Sequence, residues 1–160
     1  MMRIPTVLAS LRRLAAIVAA LAIALAGCST LYDPPPSLGA GPATLVGTSW
    51  RVVSVAGRAP IAGAVPTAVF AADRVTGSGG CNSYFGRYRY DPASGQIELG
   101  EMGATAMACL EGPRNDFETA YFQTLGKVTR VATDAFGRMK LNGPGGEIVL
   151  ERDPQRAVEG

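Results

Sequence analysis

The residues best equipped for chemistry lie in one stretch, G-S-G-G-C-N-S-Y-F-G-R-Y from Gly77 to Tyr88. Glycines of this density can cradle a phosphate. A Walker loop, however, needs a lysine after its last glycine, and the dinucleotide fingerprint needs G-x-G-x-x-G between a strand and a helix. Neither spacing occurs, and the two lysines, Lys127 and Lys140, are far along the chain. Cys81 as a nucleophile would need a neighbouring base or cation to lower its pKa. The 160-residue chain has no histidine, which removes Ser-His-Asp and Cys-His machinery and leaves Arg74 or Arg87 as weaker activators.

Metal chemistry fares no better. Cys81 and Cys109 are the soft ligands downstream of Cys28, where a closed zinc site wants four ligands, and the acids show no EF-hand spacing. Hydrolysis without histidine usually relies on paired carboxylates, but the spacing of Glu98, Glu101 and Glu111 does not require them to meet. The sequence therefore implies no catalytic residue, no metal and no cofactor.

The third cysteine carries a different chemistry. Arg3, Arg12 and Arg13 precede an apolar run from Ile17 to Ala26, which ends at Leu25-Ala26-Gly27-Cys28. A basic start, a short apolar segment and small residues have the layout of a secretory signal. Ten uninterrupted apolar residues fall short of the roughly 20 that span a bilayer. The tetrapeptide resembles the lipobox of bacterial lipoproteins, so residues 1–27 are expected to be removed and Cys28 to be acylated by chains such as palmitate. Ser29, where an aspartate would favour inner-membrane retention, points to the outer membrane and its periplasmic side. Past residue 27 the chain has 12 basic against 13 acidic residues, a net of −1, and no basic cluster suited to nucleic acid.

Residues 28–44 are rich in Pro, Gly and Ser and read as a flexible tether. Residues 45–152 then form one small domain, with 153–160 as a tail. Thr48–Val55 is a strand with Trp50, Val52 and Ser54 on one side. Thr67–Ala71 and Arg74–Gly77 are short strands. Tyr84–Asp91 and Gln96–Gly100 make a hairpin, with Arg87 and Arg89 toward solvent and Ile97 and Leu99 inward. Pro113 opens the helix, where Asp116 and Glu118 suit its positive end and Phe117, Tyr121 and Leu125 recur every four residues. Val128–Ala132, Arg138–Leu141 and Glu147–Arg152 complete an antiparallel meander. The expected class is α+β and strand-dominated, an antiparallel sheet able to curl into a partly closed barrel under a covering helix.

Trp50, then G-C-N-x-Y-x-G from Gly80, then T-x-M-x-C from Thr105 to Cys109, followed by the helix and paired terminal strands, resemble the META domain, which also occurs in the heat-shock-associated protein HslJ. The resemblance covers about residues 45–152. It implies a compact domain of antiparallel strands with helical elements, and associations with envelope stress and antibiotic tolerance. It brings no established reaction and no catalytic residue.

Once Cys28 is acylated, two cysteines remain in an oxidising compartment. A Cys81–Cys109 disulfide would close a loop of about 28 residues and stabilise the fold by roughly 3–4 kcal/mol; two unpaired buried cysteines are the alternative. Gly79 and Gly80 then serve a tight turn, with Asn82 bonding nearby backbone. The functional counterpart is a binding face made of Asn82, Tyr84, Arg87 and Arg89. The leading function is a non-enzymatic envelope lipoprotein that supports membrane integrity or stress tolerance by contacting an envelope protein. The alternative is a small-ligand or inhibitor-type binding module, which a continuous apolar cleft beside Tyr88 and Tyr90 would favour.

Overall fold

The computed structural model describes residues 40–107 and 112–156. All belong to the second of the chain's two units, Leu38–Gly160. Cys28 and Cys109 lie outside the described residues, as do the signal segment and most of the tether.

The fold is α+β. Eight antiparallel strands among the described residues close into a barrel in sequence order, covered by one helix. The strands are β1 (Thr48–Val55), β2 (Thr67–Phe70), β3 (Arg74–Ser78), β4 (Ser83–Asp91) and β5 (Gln96–Ala104). The helix α1 (Gly112–Leu125) precedes β6 (Arg130–Thr133), β7 (Met139–Gly143) and β8 (Gly146–Arg152), and a 3-10 turn follows at Pro154–Arg156. Closure comes from β1 pairing with β8 along Trp50↔Arg152 to Val55↔Ile148, which joins the two ends of the domain.

Alternation fills the interior. β4 sends Tyr84, Gly86 and Tyr88 inward and leaves Phe85, Arg87 and Arg89 exposed, a period-two pattern. Phe70 meets Tyr88 edge-on at 5.1 Å between ring centres, and Val75, Leu141, Ile148 and Leu150 complete the packing. Trp50 is buried; its indole N–H donates to Thr48 Oγ1 at 2.7 Å, and the Arg152 guanidinium lies 4.4 Å over its ring. α1 buries Phe117, Tyr121 and Leu125, the expected stripe.

Two expectations change. β1 does not keep one phase: a register shift between Val52 and Ser54 leaves Ser54 half-buried and turns Val55 into the core. β5 continues past Gly100 to Ala104, with Gly100 and Glu101 together opposite Arg87, because a second shift lies between Gly86 and Tyr88.

Gly77 marks the tightest inter-strand approach near the site. A Cβ there would fall 1.9 Å from Thr67 O and 2.8 Å from a Tyr84 ring carbon. The first obstacle is backbone and cannot swing aside, so Gly77→Ala is expected to lower unfolding free energy by about 2–3 kcal/mol. Gly126→Ala, whose nearest obstacle is Phe122 O at 3.4 Å, should stay within about 0.5 kcal/mol of the parent. Urea melts of the two variants provide the comparison, and equal midpoints would refute the assigned crowding.

Candidate functional site

The glycine loop between β3 and β4 does hold an anion, and the anion is the protein's own. Glu118, in the second turn of α1, is buried, and its Oε1 accepts the backbone N–H of Cys81 at 3.0 Å and of Asn82 at 2.6 Å. Its Oε2 accepts Asn82 Nδ2 at 2.7 Å. Gly79 permits the approach: a Cβ there would lie 2.6 Å from both Glu118 Oε1 and Phe122 Cζ. Successive main-chain donors in a turn form an anion-binding concavity, and here the carboxylate fills it. Glu118 thus anchors the loop; the first-turn electrostatic role expected from its sequence position is superseded.

Asn82 extends the knot. Its Oδ1 accepts Thr105 Oγ1 at 2.9 Å and the Met107 N–H at 2.7 Å, so one buried side chain ties the loop to α1 and to the segment after β5. The G-C-N and T-x-M motifs, separate in sequence, meet at this residue. Cys81 is disulfide-bonded; its expected partner, Cys109, lies outside the described residues. Neither Arg74 nor Arg87 is placed to activate it. They pair with each other across β3 and β4, four strand positions from the Ser78↔Ser83 end of the hairpin, about 13 Å away at strand rise.

Below the knot, the Tyr84 hydroxyl donates to Thr67 O and contacts the Tyr121 hydroxyl, each at 2.9 Å. With Tyr84's proton committed to the carbonyl, Tyr121 is the donor to Tyr84. Burial pushes both phenols well above the ordinary value of about 10, and the neighbouring Tyr121 raises Tyr84 further. Both hydroxyls are neutral near pH 7 and act as structural bonds.

The four residues expected to share a binding face do not share one. Asn82 is in the knot and Tyr84 is in the core, whereas Arg87 and Arg89 stand on the outer wall. Arg87 donates to Asp73 at 2.8 Å, and Arg89 lies 4.0 Å from Glu98. Beside Tyr88 the wall carries a notch of about 300 Å³, lined by Asp73, Arg87, Arg89, Glu98 and Gly100. Its surface is mostly apolar although charged side chains line it, and it is a small notch that Tyr90 does not line, where a small-ligand module would present a continuous apolar cleft beside both tyrosines. Glu98 and Glu101 are exposed on β5, and Glu111 is outside the described residues. Among the described residues, no group of three or more Cys, Asp or Glu side chains could hold a metal ion.

The barrel has one weak join. β5 pairs with β4 from Gln96 to Ala104, yet with β6 at a single position, Gln96↔Arg130. Two further bonds secure that corner, from Ile97 N–H to Thr129 O at 3.1 Å and from Val131 N–H to Gly95 O at 2.7 Å. Beyond it the β5 edge runs free of any ladder among the described residues. A cavity of about 560 Å³ lies at the joined end, beside Ile97, Glu98 and Thr129. One of about 200 Å³ lies at the other, between Met102, Ala104, Phe122 and Leu125. Sequence reasoning missed this seam; the signal for it was the shortness of the strand after α1.

The META domain family model matches residues 43–155. Among solved structures, the chain is similar to a protein from Burkholderia xenovorans determined by NMR, at 28% identity and a TM-score of 0.58, covering 69% of this chain and 84% of that one. A second NMR structure, at 18% identity and a TM-score of 0.54, covers 66% of this chain and 88% of that one and shows the fold alone. Among curated proteins none matches. These findings correct the wider description drawn from the sequence. They support the META domain and nothing narrower: the HslJ likeness, palmitate, outer-membrane placement and stress role are not carried by them. The described residues contain no helix long and apolar enough to cross a membrane, and they do not include a Cys81–Cys109 pair.

Proposed function

The chain belongs to the META domain family, and from that premise we propose that it is a non-enzymatic module of the cell envelope, anchored through an acylated Cys28 and acting by contact with another protein. The observation that supports this reading most is the use the fold makes of its polar groups. The loop that resembles a ligand cradle is occupied by Glu118, and the buried Tyr84 and Tyr121 hydroxyls are spent on Thr67 O and on each other. What is left for outside partners is surface: the outer wall of β4 and the open edge of β5.

Anchoring is tested by fractionation. Wild-type protein is expected in the membrane pellet, with an intact mass that begins at Cys28 carrying acyl chains. Cys28→Ser should move nearly all of it to the soluble fraction, because a single lipid-modified residue supplies the attachment. Recovery of wild-type chain beginning at Met1 in the soluble fraction would defeat the proposal.

A further inference from the structure

We propose that the free edge of β5 receives an extended segment of a partner protein as an added strand, and that the segment alternates apolar with basic residues. This rests on the protein-contact reading above and names its surface and its chemistry.

The backbone makes the first half of the case. Ile97 N–H points across the join to Thr129 O. Strand alternation, carried through the two-residue bulge opposite Arg87, then turns the N–H and C=O of Leu99, Met102 and Ala104 toward the same side. None of these groups has a hydrogen-bond partner among the described residues. Proteins commonly blunt such edges with lysine, proline or a covering element. The run Glu98–Ala104 has neither lysine nor proline, and it is half-buried to exposed throughout; α1 nears it only at the far end, where Phe122 and Leu125 face Met102 and Ala104 across the cavity of about 200 Å³. An unpaired, accessible edge supplies the main-chain half of strand addition, and pockets for alternate side chains supply specificity.

Side chains decide the occupant. Leu99 and Met102 pack against the core, and Phe122 and Leu125 wall the cavity at the far end. A guest strand would therefore set alternate residues against an apolar surface. Its other residues would stand beside Glu98 and Glu101, both exposed; Glu98 has only a distant contact with Arg89, at 4.0 Å. Two carboxylates along one edge select lysine or arginine. A second copy of this chain fits poorly, since a two-fold pairing of β5 brings four carboxylates to one seam. The open edge accommodates a guest of about six residues at strand rise.

The test uses the full-length protein, in detergent if it is membrane-bound, and a blocked heptapeptide alternating valine with lysine. Amide exchange at Leu99, Met102 and Ala104 should be fast in the free protein and slow by about tenfold or more with saturating peptide, while the Ile97 amide is unchanged. The double variant Glu98→Lys/Glu101→Lys should keep the parent melting temperature and weaken peptide affinity by about tenfold. Three results would overturn the proposal: protection of these amides before peptide is added, no slowing at millimolar peptide, or equal slowing by a peptide with glutamate in place of lysine. Protection by peptide in a chain that fractionates as soluble would remove the anchor and leave the seam. Membrane attachment without protection would remove the seam alone.

Discussion

Glu118→Ala is expected to lower the unfolding free energy by about 3–5 kcal/mol, a large share of the 5–15 kcal/mol typical of a domain. The residue makes three hydrogen bonds to the β3–β4 loop. Its removal takes the shared acceptor away from the Cys81 and Asn82 N–H groups and from one of the two N–H bonds of the Asn82 amide, whose other contact is Met107 O at 3.4 Å, and unmade bonds at buried donors cost more than made ones contribute. Glu118→Gln separates the terms. Its carbonyl oxygen can still accept both main-chain donors, but its amide nitrogen then faces Asn82 Nδ2, donor against donor. Asn82 cannot flip to relieve this, because its Oδ1 already accepts from Thr105 and Met107. Glu118→Gln should therefore cost about 1–3 kcal/mol. Asn82→Asp, which sets two buried carboxylates together, should cost at least as much as the alanine change. Urea titrations followed by the fluorescence of Trp50, the chain's single tryptophan, give the order. If Glu118→Ala lies within about 1 kcal/mol of wild type, the knot is not what holds the loop.

The same residue shows where sequence reading stops. The strands were legible because apolar residues alternate, as in Tyr84, Tyr88 and Ile97, and the helix because Phe117, Tyr121 and Leu125 repeat every four positions. Those patterns are local. Glu118, near a helix start, is equally at home as an exposed complement to the helix dipole. Only the arrival of the Gly79–Asn82 turn from 36 residues away makes it a buried acceptor. Closure of the barrel is also non-local, since β1 and β8 meet from opposite ends of the domain. Gly100 and Gly103 hid the second half of β5 because glycine weakens any strand pattern. The shift within β1 hid Val55, since one extra residue reverses the side that all later ones face.

The binding face failed for a related physical reason. Asn82, Tyr84, Arg87 and Arg89 mix even and odd positions about β4, and a strand cannot present both to one partner. Residues that share a surface here are neighbours across strands: Arg74 beside Arg87, and Arg89 beside Glu98. The edge of β5 adds a property that no list of side chains contains, a row of main-chain groups without a partner among the described residues. Function in such a domain is accordingly sought in backbone exposure as much as in residue type.

Alkaline pH is the second strong lever. Tyr84 and Tyr121 have raised pKa values in the folded protein, with burial the largest cause, whereas the unfolded chain ionises near 10. Below that value folded and unfolded states bind the same phenolic protons, so their stabilising contribution is fully present. Above it the unfolded state sheds protons that the folded state retains, and stability falls as pH rises. Each proton that the folded state retains and the unfolded state has lost is worth about 1.4 kcal/mol per pH unit, so stability falls steadily as pH rises above ~10. Tyr88 and Tyr90 are raised as well, in the same direction, but their partial exposure makes them minor. Tyr121→Phe keeps the bond from Tyr84 to Thr67 O and should cost only about 1 kcal/mol at neutral pH while nearly halving the alkaline slope. Parallel pH titrations of denaturant midpoints and tyrosinate absorbance measure both quantities. Coincidence of phenol ionisation with cooperative unfolding is the expected result. Full tyrosinate formation near pH ~10 in a still-folded chain would mean that the Tyr84–Tyr121 pair is open to water and that the end of the barrel beneath α1 is not closed.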